Sequence, residues 1–204
     1  MIIIFGNQKG GAGKSTLAIL YANWLTLVKK QKVTVLDMDY QQSLYAKYKE
    51  AEKLENPAPY EVMLVDLQEF PAIYKAIGNP EDEIIIIDLP GKLDDDHLIP
   101  VIQAADIIIV PFKYERMTYE STMLFTLISK KINPSAEYFF VPNMVQRNVN
   151  YELKNDVDTS LINYGKVTES IYQSVKYERL MTKDLPMDKI GEIESAFNKI
   201  LNHE

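Results

Sequence analysis

The sequence predicts a doubly wound α/β fold, a mostly parallel sheet with helices on both faces. Three observations carry this expectation. Short β-branched runs alternate with longer segments of helical period. Three of those runs are almost entirely Ile or Val, as strands covered on both faces of a parallel sheet read. The first run leads straight into a glycine-rich turn and a helix, which is how ligand sites open in such sheets.

In chain order, the expected strands are residues 2–5, 33–36, 62–65, 84–87, 107–110 and 138–141. The first helix is expected over 15–29, where Leu17, Leu20, Trp24, Leu27 and Val28 recur at spacings of three and four and their polar neighbours face outward. A last helix is expected over 187–202, with Ile190, Ile193, Phe197, Ile200 and Leu201 on one face. No internal repeat, low-complexity tract or Pro/Gly/Ser linker interrupts the pattern, so residues 1–204 are expected to form one domain.

Composition narrows the chemistry. The net charge of -7 argues against a constitutively polyanion-coated protein and leaves only local basic patches for nucleic acid. With no cysteine, disulfides, cysteine-ligated zinc, iron–sulfur clusters and thiol nucleophiles are excluded. Residues 1–5 are too short an apolar run for a signal peptide, and no apolar stretch is long enough to span a bilayer. A soluble, cytoplasmic protein with no membrane partner is therefore expected. His97 and His203 lack metal-ligand spacing and read as surface residues.

The opening stretch, MIIIFGNQKGGAGKST, carries the chemistry. A glycine-rich turn between a buried strand and a helix presents consecutive backbone N–H groups and the positive helix end, a cradle for phosphate. In such a loop Gly10, Gly11, Ala12, Gly13 and Thr16 would line the phosphates, Lys14 would reach the β and γ phosphates, and the Ser15 hydroxyl would coordinate Mg²⁺. The strict G-x-x-x-x-G-K-[ST] pattern is not met, because Gln8 stands at its first position and a second lysine, Lys9, opens the loop. A chance K-G-G-x-G-K-[ST] match in a chain of this length is on the order of one in ten thousand or rarer, so a merely flexible loop is set aside.

On these residues the chain resembles the deviant Walker A ATPases, which include the ParA and MinD types, and NQKGGAGKST is most similar to the ParA branch. VTVLDMDYQQS resembles the second motif of that family, D-x-D-P-Q, with Tyr40 in place of proline and Gln42 in place of a usual glycine. IIIIDLPG resembles its Walker B, AADIIIVPF the strand that follows, and VPNMVQR a strand ending in a base-contacting asparagine. The resemblance implies a P-loop ATPase of ATP and Mg²⁺. Asp39 would orient the attacking water, Asp37 would belong to the magnesium surroundings, and Asp88 would hold Mg²⁺ through water. Asp37 and Asp39 leave one strand on the same side, since alternate residues share a face; an Asp there is otherwise a cap or turn former.

Transition-state charge in phosphoryl transfer asks for a mobile cation. The three arginines, Arg116, Arg147 and Arg179, all lie far from the loop in sequence. In the resembled family the signature lysine, here Lys9, crosses to the nucleotide of a second subunit, so the resemblance implies an ATP-dependent sandwich homodimer. Asn143 either contacts the adenine edge or is simply a turn residue after Pro142.

The family holds several functions. Iron-carrying members need cysteine, membrane positioners of the MinD type end in a basic amphipathic helix, and tyrosine autokinases end in a tyrosine cluster. None of these features is in the sequence, and the loop at Lys9 leaves no room for a preceding helix-turn-helix. The expectation is a small ParA-type partition ATPase whose ATP-bound dimer holds nonspecific DNA, associating with the nucleoid, and whose hydrolysis a ParB-like centromere-binding partner stimulates. Lys176, Arg179 and Lys183 are the candidate DNA contacts, although the basic residues of this region, which also include Lys154, Lys166, Lys189 and Lys199, are interspersed with acids. A positioner of a protein cargo is the alternative. A small-molecule ligase similar to dethiobiotin synthetase, with no DNA binding, is a third reading.

Overall fold

The computed structural model describes residues 1–54, 59–78, 83–92 and 94–202. His203 therefore lies outside the described residues.

Among the described residues, eight strands form one sheet: β1 (Ile2–Phe5), β2 (Val33–Asp37), β3 (Glu61–Leu64), β4 (Ile84–Asp88), β5 (Ile107–Phe112), β6 (Glu137–Val145), β7 (Lys166–Val167) and β8 (Ile171–Tyr172). Their order is β3-β2-β4-β1-β5-β6-β7, with β8 also on β6. Every pairing is parallel. The helices are α1 (Lys14–Leu27), α2 (Ser43–Lys53), α3 (Phe70–Ile77), α4 (Leu98–Gln103), α5 (Arg116–Ile132), α6 (Lys154–Ile162), α7 (Val175–Glu178) and α8 (Ile190–Leu201).

Strand alternation divides the core in two. Ile3, Phe5, Val33, Val35, Ile84 and Ile86 pack with α1 and α8, while Ile2, Ile4, Leu36, Ile85 and Ile87 face the layer built from α3, α4, α5 and α6. The isoleucine runs are thus buried on both faces, as their composition predicts.

Five local features differ from the sequence expectation. The first helix ends at Leu27, and residues 17–25 are buried all round rather than along one stripe. Aromatic packing from the far side explains this: Phe197 of α8 meets Tyr21 at 4.8 Å and Trp24 at 5.6 Å between ring centroids. The polar Asn23 is not turned outward either. Its amide donates to Met181 O (3.0 Å) and Asp184 O (2.7 Å), and its oxygen accepts from Tyr60 Oη (2.7 Å) and the Lys183 backbone N–H (2.9 Å). A buried amide so fully used fastens the 181–184 loop to α1.

The last helix is broken at its start, with a 3-10 turn at Met187–Lys189 before α8. Strands β7 and β8 have only two residues each and carry no readable run. β6 continues past Val141 because Pro142, which cannot donate to a ladder, sits between the residues paired with β7 (Phe139, Phe140) and those paired with β8 (Asn143, Val145).

Candidate functional site

The carboxyl ends of the central strands meet the amino end of α1, and the loop between β1 and α1 is built to sit there. Gly6 is required because a Cβ at this position would come within 2.3 Å of the Phe125 ring of α5. Asn7 then pins the loop: its buried amide donates to Pro111 O (2.7 Å) and Thr122 Oγ1 (2.9 Å), and its oxygen accepts the Lys9 N–H (3.1 Å). Gly11 and Gly13 adopt φ of 74° and 94°, the left-handed region that glycine enters without strain. At Gly13 a side chain is also excluded sterically, since a Cβ would lie 2.1 Å from Asn143 Nδ2. No side chain among the described residues caps α1, which leaves its first N–H groups for a ligand.

A cavity of about 1010 Å³ opens above this loop. Gly10, Gly11, Gly13, Lys14, Ser15 and Thr16 line it, with Asp39 from the loop after β2 and Gly91 and Lys92 from the loop after β4. Lys9 and Ala12 do not line it. Lys14 is buried, and its ammonium stands 3.8 Å from Asp39 Oδ2. Lys9 is half-buried and makes no ion pair among the described residues.

Asp39 lines this cavity, whereas Asp37 and Asp88 do not, and the environments of the three carboxylates differ. Asp37 and Asp88 are neighbours in register at the ends of β2 and β4, both fully buried. Asp37 accepts the Asp39 N–H on Oδ1 (3.1 Å) and the Tyr45 N–H on Oδ2 (2.8 Å), so it braces the loop and the start of α2. Burial still raises its pKa, and those two N–H groups oppose the rise. Each oxygen thus serves the backbone, which gives Asp37 a bracing part in addition to the place in the magnesium surroundings that the resemblance implies for it.

Asp88 is the reverse case: neither carboxylate oxygen has a hydrogen-bond partner at good geometry among the described residues, the Ser15 hydroxyl being near enough to favour its charge without closing a well-aligned bond. Burial pushes its pKa up to about 7, the Ser15 hydroxyl and the Lys14 ammonium pull against that, and Asp37 and Asp39 add to it. An orphaned buried carboxylate beside a hydroxyl, with one lysine among three acids, is a donor set that fits a hard divalent cation bound together with phosphate oxygens. No ready-made group of three or more acidic, His or Cys ligands exists among the described residues, so these residues alone do not complete a shell.

Asn143 is buried inside β6, not in a turn as the sequence allows, and its amide donates to Ala12 O at 2.9 Å. It fastens the phosphate loop from below. It also borders a second cavity of about 220 Å³, with Met144 lining both spaces.

The sequence reading missed Lys47, Lys92, Tyr40 and Asp95 as lining residues. Only the motif placement of Tyr40 and Gly91 carried a signal for them. His97 is exposed as expected, yet it borders the same cavity and bonds to Asp95. Lys176, Arg179 and Lys183 are all exposed on the segment between β8 and α8. Lys176 is ion-paired with Asp188 at 2.7 Å, which offsets one of the three positive charges. No helix among the described residues is long and apolar enough to cross a membrane.

Comparison with known proteins agrees with this fold. The family model described as the CobQ/CobB/MinD/ParA nucleotide binding domain matches residues 3–187. Among solved structures, the chain is similar to a plasmid partition protein from Borrelia burgdorferi bound to AMPPNP, with 23% identity, a TM-score of 0.78, and 100% of this chain and 99% of that one covered. It is also similar to a complex of Cyanothece McdA with ATP, at 15% identity, a TM-score of 0.71, and 98% and 95% coverage. The ParA of pNOB8 bound to nonspecific DNA matches at 14% identity, a TM-score of 0.63, and 100% and 99% coverage. No curated protein sequence matches the chain.

Proposed function

The chain belongs to the CobQ/CobB/MinD/ParA nucleotide-binding family, and from that premise we propose that it is a partition ATPase, one P-loop domain over residues 1–204. It binds ATP with Mg²⁺, pairs as an ATP-dependent homodimer, holds nonspecific DNA in the cytoplasm, and hydrolyses ATP when a ParB-like partner stimulates it.

The observation that carries this reading is the separation of the two loop lysines. Lys14 is buried in the wall of its own cavity, and Lys9, five residues earlier, stands outside that cavity without an ion-pair partner among the described residues. Such a pair suits one cation acting in its own subunit and one acting across an interface. Lys14 would move from Asp39 to the phosphates, which attract an ammonium more strongly than a single carboxylate at 3.8 Å. The N–H groups of residues 13–16 and the α1 amino end would hold the phosphate oxygens. Asp39, released from Lys14, would accept a hydrogen bond from the attacking water and orient it, while Lys9 of a second copy would stabilise the developing charge.

Magnesium, when bound, neutralises phosphate charge, and Ser15 and Asp88 are the residues that would hold it. Asp37 would keep the Asp39 loop braced. Asn143 would keep the loop seated and present its remaining amide capacity toward the base.

The DNA component rests on three exposed cations, Lys176, Arg179 and Lys183, and on likeness to the ParA solved with nonspecific DNA. The Lys176–Asp188 ion pair favours a second reading, a positioner of a protein cargo driven by the same switch. Retention on immobilised DNA of random sequence separates the two. Retention that requires both ATP and Mg²⁺ is the partition outcome; ATP-dependent dimerisation without retention is the cargo-positioner outcome; neither one returns the small-molecule ligase reading.

A further inference from the structure

A hydrogen-bonded clasp crosses the mouth of the cavity. The Tyr40 hydroxyl donates to Asp95 Oδ2 at 3.0 Å, joining the loop after β2 to the loop after β4. Asp95 is held ready for it, because its other oxygen accepts both the His97 backbone N–H (2.9 Å) and the His97 ring Nδ1 (2.7 Å). The His97 backbone N–H and ring, then the Tyr40 hydroxyl, hold the Asp95 carboxyl below its ordinary range. Tyr40 has 63% of its surface exposed, so packing does not explain where its ring sits.

The residue beside the clasp is Asp39. Residues 39–42 form a β-turn closed by Gln42 N–H to Asp39 O at 2.8 Å, and Asp39 Oδ1 accepts the Gln41 N–H at 2.9 Å. Tyr40 occupies the second position of this turn. That position favours proline, whose ring presets φ, and a tyrosine supplies no such restraint. Gln42 itself has φ of 52°, a conformation that costs a non-glycine residue free energy and needs support from its surroundings. The clasp is the one side-chain tie from this turn to the neighbouring loop among the described residues.

We infer that Tyr40 is a positioning residue for Asp39: its hydrogen bond to Asp95 does the work of a backbone restraint, holding the turn while Lys14 leaves Asp39 for phosphate. The inference rests on the proposed ATPase reading for its catalytic consequence, but its structural half can be tested without nucleotide. The Tyr40 amide donates no hydrogen bond among the described residues, so a proline there removes none.

The experiment uses the full chain carrying Tyr40→Phe, Asp95→Asn, Tyr40→Pro, or Tyr40→Pro with Asp95→Asn. Amide hydrogen exchange at Gln42 is read without nucleotide, and ATP turnover over a range of ATP concentrations. Tyr40→Phe and Asp95→Asn should each speed exchange at Gln42 by about 3- to 10-fold, the worth of one exposed hydrogen bond. They should lower kcat by a similar factor with KM within about twofold, the mark of an interaction made through Asp39 rather than with the nucleotide. Tyr40→Pro should restore both readouts, and adding Asp95→Asn to it should then change neither. Unchanged exchange in Tyr40→Phe overturns the clasp. A higher KM at constant kcat overturns the positioning role and makes Tyr40 a nucleotide contact. Absence of turnover in the wild-type chain refutes the ATPase reading, and the exchange arm still decides the clasp.

Discussion

Asp37 and Asp88 stand side by side at the ends of adjacent parallel strands, both without exposed surface, and only one of them is satisfied. Asp37 accepts two backbone N–H groups, while Asp88 accepts none among the described residues. Two buried acids in register would be a liability in a purely structural core. The unsatisfied one is close to Lys14 and Ser15, and the proposed cation and phosphate site would relieve its isolation.

That isolation predicts a pH dependence. Burial raises the Asp88 pKa to about 7 from 3.8. The native state therefore binds its proton more tightly than the unfolded chain, so the stabilising contribution is complete below about pH 4 and is lost as pH rises through about 7. Asp88→Asn, which keeps the shape and removes the charge, should stabilise the nucleotide-free protein by roughly 2–4 kcal/mol at pH 8 and by little at pH 4. Urea unfolding at the two pH values checks this, and a pH-independent difference would contradict it.

The two lysines should separate cleanly. Lys14→Ala removes the one buried cation that lines the cavity among the described residues and should weaken ATP binding by about 100-fold or more. Lys9→Ala should bind ATP within a few-fold of wild type yet fail to dimerise or turn over. Titration with a fluorescent ATP analogue and light scattering with ATP and Mg²⁺ measure the two properties. Dimerisation of Lys9→Ala at the wild-type ATP concentration would remove the cross-subunit role.

Asp39→Ala should stall after dimerisation. The variant loses the group proposed to orient water and also the ion pair that holds Lys14 back, so ATP affinity is expected to rise modestly while turnover falls by about 100-fold or more. A persistent dimer in light scattering is the expected result, and rapid dissociation would argue that another residue positions the water.

Asn23→Ala tests the packing of the carboxy-terminal segment. It leaves two carbonyls, a tyrosine hydroxyl and the Lys183 N–H without their partner inside the protein. A loss of about 2–4 kcal/mol is expected in chemical denaturation. Since the same loop carries Lys183, DNA retention should weaken with it.

If Lys176, Arg179 and Lys183 form the DNA surface, retention should fall steeply with salt, and reversing all three charges should weaken it equally for every DNA sequence. Asp188→Asn frees Lys176 from its ion pair and should strengthen retention. A sequence-dependent loss, or none, would move the surface elsewhere.

The sequence by itself determined the parallel sheet and the phosphate loop, because both are written in contiguous residues. Four consecutive isoleucines, Ile84 to Ile87, read as a strand covered on two faces, and K-G-G-A-G-K-S reads as a turn that wraps an anion. Tertiary structure decided whatever depended on partners distant in the chain. Whether Asp37 or Asp88 keeps free oxygens turns on where the Tyr45 N–H arrives. That Asn143 serves the loop turns on β6 passing beneath Ala12, 131 residues earlier. Asn23 reads as a polar outward position until Tyr60 and the 181–184 loop close over it. The Tyr40–Asp95 bond joins residues 55 apart with no periodicity between them. Hydrophobic periodicity records which face of an element is buried, and it holds no record of which polar group will meet another, since one hydrogen bond is set by a few tenths of an ångström that only the packed chain supplies.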